Sequence, residues 1–181
     1  MAKALLLYPS TDSYGRFSIP ISIVSSLLKT HGHDVSLFDT TFYESDEESK
    51  DANRVRMGQV QAFTFEERGV SLKTTNMYSD FVEQVERFQP NLIAATILED
   101  TYPIFIRFME LVESKNIPTV VGGVFPSTAP EVIAKLPYVH YICRGEGEGA
   151  LLVLEFEPIN GGSIISISDI VVGDDVGNEI I

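Results

Sequence analysis

The sequence predicts an α/β fold: a flavodoxin-like (Rossmann-like) three-layer αβα sandwich around a five-stranded parallel sheet of order 2-1-3-4-5. Three observations predict it. Short apolar runs alternate with amphipathic segments from residue 3 to about residue 156. Several of those runs are apolar at consecutive positions, as strands covered on both faces must be. And 181 residues with 44% hydrophobic content can build one substantial core. Strict strand–helix alternation with right-handed crossovers leaves a parallel sheet between two helical layers.

Each element has its own signal. KALLLY (3–8) reads as the first buried strand. IPISIVSSLLKTHG (19–32) reads as a helix with Pro20 in its first turn and Gly32 at its end. DVSLFD (34–39) is the second strand. SDFVEQVERF (79–88) is a helix expected to be capped by Ser79 or Asp80 and to stop before Pro90. NLIAATIL (91–98) is the third strand, IFIRFMELVESK (104–115) a helix and TVVGG (119–123) the fourth strand. PEVIAKL (130–136) is a short helix, YICR (141–144) the fifth strand, and a helix is expected through GALLVLEF (149–156). Two regions break the rhythm. Residues 43–78 form a long insertion opening on the acidic run ESDEESKD, and residues 157–181 form a β-rich tail resembling a hairpin or a linker.

Composition excludes several functions. Thirteen basic against 26 acidic residues give a net charge of −13, which opposes nucleic acid and anionic membrane surfaces. One cysteine, Cys143, allows no intrachain disulfide, no iron–sulfur cluster and no multi-thiolate zinc site. With no secretory signal and no membrane span in the sequence, a cytoplasmic protein is expected.

Ligands of such a sheet lie beyond the carboxyl ends of its strands, so the loops there carry the functional reading. The first loop, PSTDSYGRFSIP (9–20), lacks both the spaced glycines of a dinucleotide site and the Gly-Lys-Ser/Thr of a P-loop. RGEGEG (144–149) carries two glutamates that would repel a phosphate. A receiver-type phospho-acceptor could use Asp100, but the acidic pair after the first strand and the lysine after the fifth are missing. A small enzyme or hard-cation site built from Glu99, Asp100, Glu146 and Glu148 is the third reading. His31, His33 and His140 are expected at the opposite, amino edge, as surface or helix-terminal residues. Thr96 and Leu98 share one side of the third strand, and the fourth ends in Gly122-Gly123, where a missing Cβ lets a bulky group approach. These features suit a large, flat or elongated ligand held by backbone and packing, although the double glycine could equally serve a tight turn.

The combination IPISIVSSLLKTHGHDVSLFDTTF, QPNLIAATILEDTY, IPTVVGGVFPSTAPE and YICRGEGEGALLVL resembles the N-terminal cobalamin-binding domain of radical S-adenosylmethionine enzymes. That group includes methyltransferases and anaerobic magnesium-protoporphyrin monomethyl ester cyclase-like proteins. The resemblance covers roughly residues 3–156. It implies a corrin over the carboxyl edge with its nucleotide tail reaching into the sheet. Matched to that pattern are the first-loop wall (Ser10, Thr11, Asp12, Ser13, Tyr14, Gly15, Arg16), the positions Thr96 and Leu98 followed by Glu99 and Asp100, the segment Gly122, Gly123, Val124, Phe125 and Pro126, and the last loop Gly145, Glu146, Gly147 and Glu148. The first loop has no Asp-x-His-x-x-Gly, so the resemblance implies base-off cobalamin without a protein histidine ligand. The Cys-x-x-x-Cys-x-x-Cys motif is also missing. S-adenosylmethionine, the iron–sulfur cluster and the radical chemistry are therefore expected in a catalytic domain outside this chain, reached through the tail.

Overall fold

The computed structural model describes residues 2–10, 18–44, 55–59, 61, 67, 69–145, 147 and 164–166, the last three as backbone only. Five parallel strands run β1 (Lys3–Tyr8), β2 (Asp34–Asp39), β3 (Leu92–Thr96), β4 (Thr119–Gly122) and β5 (Tyr141–Cys143). Their order is β2-β1-β3-β4-β5, as the alternation predicts, so β2 is added on one side of β1 and the strands from β3 onward on the other. A sixth strand, β6 (Ile164–Ser166), adds antiparallel to β5. The β-rich tail thus contributes a strand to the sheet, where the sequence suggests a separate hairpin or linker.

Alternate strand residues divide the core into two layers. Leu5, Leu7, Ile93, Ala95, Val121 and Ile142 pack with helices α2 (Met77–Phe88) and α3 (Tyr102–Val112), through Phe81, Val85, Phe105 and Phe108. Ala4, Leu6, Leu92, Ala94, Val120 and Cys143 pack with α1 (Ile19–Thr30), through Ile21, Val24 and Leu28. The first layer is aromatic and thick; the second is built on small residues.

Helix ends follow local chemistry. Ser18 caps α1 by accepting from Ile21 N–H at 3.4 Å, and the chain leaves the helix through Gly32 at φ 82°. The cap of α2 is Asn76, whose Oδ1 accepts from Tyr78 and Ser79 N–H at 3.0 and 3.1 Å, in place of the expected Ser79 or Asp80. Asp80 is committed elsewhere: its Oδ2 accepts from Tyr43 Oη at 2.9 Å and Thr75 Oγ1 at 2.6 Å. These bonds close the insertion at its root. Lys73 N–H donates to Phe42 O and Glu44 N–H to Lys73 O, so the intervening chain leaves and returns at one point.

β3 is shorter than predicted because Leu98 N–H turns to Thr101 Oγ1, opening a 3₁₀ turn over Glu99–Thr101 that runs into α3. Two short helices follow β4: α4 (Val124–Thr128), where a turn is expected from the sequence, and α5 (Pro130–Ile133), shorter than its predicted span. The helix predicted over 149–156 lies outside the described residues.

Candidate functional site

On the α1 face, the small residues cluster toward the carboxyl ends of the strands. Leu92, Ala94 and Thr96 follow one another along that side of β3, Val120 and Gly122 along β4, and Cys143 lies on β5. Thr96 is in register with Gly122. Side-chain volume falls from Leu92 to Ala94 on β3 and from Val120 to Gly122 on β4, and α1 packs over this side of the sheet. The result is a slot of about 160 Å³ between the sheet and the first turns of α1, walled by Leu6, Pro20, Ile21, Val24, Ala94, Thr96, Gly122 and Cys143, with Gly123, Gly145 and Gly147 near the loops.

The two adjacent glycines have different surroundings. A Cβ built on Gly122 would meet Cys143 Cβ at 3.5 Å, an ordinary contact inside the slot. A Cβ on Gly123 would lie 2.7 Å from Ile97 O and 3.0 Å from Thr96 Oγ1, and Gly123 adopts φ 111°. Gly123 therefore serves the turn, by a backbone conformation closed to other residues. Gly122 serves the slot, by leaving space in it. The tight-turn reading of the double glycine accounts for Gly123, while Gly122 borders the slot.

The exposed apolar residues Ile19 (68%), Leu98 (51%) and Val124 (64%) follow β1, β3 and β4 at the same carboxyl edge of the sheet as the slot. Such exposure of large aliphatic side chains next to a cavity marks a surface suited to an apolar-faced ligand. Lysine and arginine are missing from the described slot wall, so nothing there would clamp a pyrophosphate.

Among the residues singled out from sequence, Thr96, Gly122, Gly123, Gly145 and Gly147 meet at the slot. Leu98, Glu99, Asp100 and Val124 are exposed at the edge. Phe125 and Pro126 turn inward: Phe125 packs on Tyr102 with ring centroids 5.1 Å apart, and Pro126 is buried. Ser10 closes the root of the first loop, where Thr40 Oγ1 donates to Ser10 O at 2.8 Å and accepts from Ser10 N–H at 2.7 Å. Thr11, Asp12, Ser13, Tyr14, Gly15, Arg16, Glu146 and Glu148 lie outside the described residues. Among the described residues no three His, Cys, Asp or Glu side chains gather as a metal site.

Sequence reasoning missed Ala94, Cys143 and the α1 wall of Pro20, Ile21 and Val24. The usable signal was the drop in side-chain volume from Leu92 to Ala94 and from Val120 to Gly122.

The histidines are at the amino edge, as expected. His31 caps the end of α1; His140 Nδ1 accepts from Thr119 N–H at 3.2 Å, at the start of β4. His33 Nδ1 accepts from Ala2 N–H at 3.3 Å, before β1. His33 is buried, at 5% exposure, and is therefore part of the packing beneath the sheet where a surface residue is expected.

Residues 58–155 match the family model described as B12 binding domain. The match spans β3, β4, β5 and the loops that follow them. Two solved structures share the fold, both of the radical S-adenosylmethionine methyltransferase TsrM from Kitasatospora setae. One, with tryptophan substrate and the SAM analogue aza-SAM bound, aligns at TM-score 0.57 and 16% identity over 85% of this chain. The other, with cobalamin and a [4Fe-4S] cluster bound, aligns at TM-score 0.59 and 16% identity over 84% of this chain. This chain spans about a quarter of their length, 25% and 24% respectively. None of the curated proteins matches it in sequence.

Proposed function

We propose, because this chain belongs to the B12-binding domain family, that it holds cobalamin at the carboxyl edge of its sheet and presents it to a radical S-adenosylmethionine catalytic domain. The observation that carries the reading is the slot at Gly122: an apolar, glycine-floored groove between α1 and the sheet, at the same edge of the sheet as the exposed side chains of Ile19, Leu98 and Val124. The groove fits the nucleotide tail of cobalamin, a flat aromatic base on a sugar, and the apolar rim fits the face of a corrin. When bound, the corrin supplies methyl-transfer or related radical chemistry through its cobalt. This chain's residues exclude water from the tail, fix its depth and orient the ring.

The cofactor binds base-off, with no histidine of this chain on cobalt. His31, His33 and His140 sit at the amino edge, and the first-loop residues Ser10 to Arg16 include no histidine. Residues 1–156 are the binding domain and residues 157–181 the lead toward the catalytic domain. A [4Fe-4S] cluster and S-adenosylmethionine belong to that domain, since one cysteine cannot ligate a cluster.

Equilibrium dialysis against hydroxocobalamin, with NAD, ATP and duplex DNA in parallel cells, tests the proposal. Retention of corrin alone is expected; tight nucleotide binding without corrin would overturn it.

A further inference from the structure

The slot is bordered by two loops that, among the described residues, no main-chain ladder joins. One is the Gly122-Gly123 turn after β4, and the other begins at Gly145 after β5. The β4–β5 ladder pairs Val120 with Tyr141 and Val121 with Ile142 and stops there. Beyond it, the Ser127 side chain spans the gap. Ser127 Oγ, on α4, donates to Gly123 O at 2.8 Å and accepts from Gly145 N–H at 3.4 Å.

The geometry points to Ser127 as a positioning residue that sets the distance between the two glycine loops, and with it the width of the slot where the tail of cobalamin enters. This rests on the cobalamin reading for its ligand but not for its structure. A hydroxyl has one proton and two lone pairs. Gly123 O takes the proton, so the lone pairs remain for an incoming donor, and Gly145 N–H supplies it. The arrangement fixes the sense of both bonds. Gly123 O has a second donor, Ser127 N–H at 3.3 Å, which ties the strut to the first turn of α4. Gly145 itself takes φ 78°, with no heavy atom within 4 Å of a built Cβ, so packing alone does not hold it. Ser127 is half-buried and does not line the slot; it acts through the two loops that do.

Two measurements on the full chain test this. The first is amide hydrogen exchange without ligand. Ser127→Ala should accelerate exchange at Gly145 roughly two- to fivefold, as loss of one long hydrogen bond allows. Exchange at Ile97, whose N–H donates to Gly122 O at 2.9 Å, should stay at its parent rate. Ser127→Thr, which keeps the hydroxyl, should restore Gly145. Unchanged exchange at Gly145, or equal acceleration at Gly145 and Ile97, would overturn the strut. The second is equilibrium dialysis with hydroxocobalamin. Ser127→Ala should weaken retention roughly two- to tenfold, mostly through faster release, and threonine should recover it. Parent-like affinity in the alanine variant would overturn the role in slot width. If the parent binds no corrin, the ligand reading fails, and exchange at Gly145 alone decides whether the strut exists.

Discussion

Gly122 and Gly123 are neighbours whose replacement by valine should fail in different ways. At Gly122 the added Cβ makes ordinary contacts with Cys143, its Cβ at 3.5 Å and its O at 3.7 Å, so Gly122→Val should fold with near-parent thermal stability. Its added bulk fills the slot, at a cost of about 1–3 kcal/mol to any ligand there, or roughly ten- to hundredfold in affinity. At Gly123 the Cβ meets backbone at 2.7 Å under φ 111°, so Gly123→Val should lower stability by about 1–3 kcal/mol or more. Thermal unfolding paired with equilibrium dialysis separates the two; identical behaviour of both variants would show that one role covers the pair. The sequence displays the glycines, but assigning a role to each requires the φ angle and the Thr96–Gly122 register, which no local pattern encodes. Cys143 was hidden for the same reason, since which face of a three-residue strand is inward depends on its neighbours. Tyr138 offers a pH test at this scale. Burial, then the charges of Glu110, neighbouring Tyr102 and Glu113, raises its phenol to about 12. A phenol raised from 10 in the fold favours the neutral form, so its contribution is intact below pH 10 and is lost as pH rises toward 12. Tyr138→Phe should therefore flatten the fall in stability across that window in alkaline denaturant titrations; an unchanged slope would contradict the assignment.

Element ends show where local chemistry is decided by distant partners. Asn76 caps α2, while Asp80, one of the two caps expected from the sequence, is bound to Tyr43 and Thr75 across the root of the insertion. Asn76→Ala should cost about 0.5–2 kcal/mol of stability, read as a lowered midpoint in urea with an unchanged slope; an Asn76→Ala variant as stable as the parent would contradict the cap. Apolar runs made the strands and long helices legible, because burial on both faces leaves a continuous pattern. α4 was illegible: its five residues contain a proline, and the helix depends on Gly123 at its start. β6 was half legible, its β-rich composition visible but its antiparallel partner β5 set by tertiary pairing. The 3₁₀ turn carrying Glu99 and Asp100 places both carboxylates at the exposed edge. Asp100 should remain unmodified by acetyl phosphate, because the lysine after β5 and the acidic pair after β1 that support phosphoryl chemistry are missing from the sequence. Stoichiometric, hydroxylamine-labile phosphate at Asp100 would instead support a receiver.

Across the whole molecule, the parallel sheet separates its two edges by a strand's length, about 3.3 Å per residue. Histidines occupy the amino edge and the slot the carboxyl edge. The triple variant His31→Ala, His33→Ala, His140→Ala should thus leave the spectrum of bound cobalamin unchanged, and the reduced cobalt(II) form should show no nitrogen hyperfine splitting. Splitting that vanishes in the triple variant would reverse the polarity of the site. No helix among the described residues is long and apolar enough to cross a membrane. The central claim is that the Gly122 slot receives cobalamin, and the absorption spectrum after incubation with hydroxocobalamin and desalting tests it most directly. The parent protein should carry corrin bands at a ratio approaching one per chain, and Gly122→Val, folded by circular dichroism, should carry few or none. A parent that emerges colourless, or a folded Gly122→Val that retains corrin as the parent does, would contradict it.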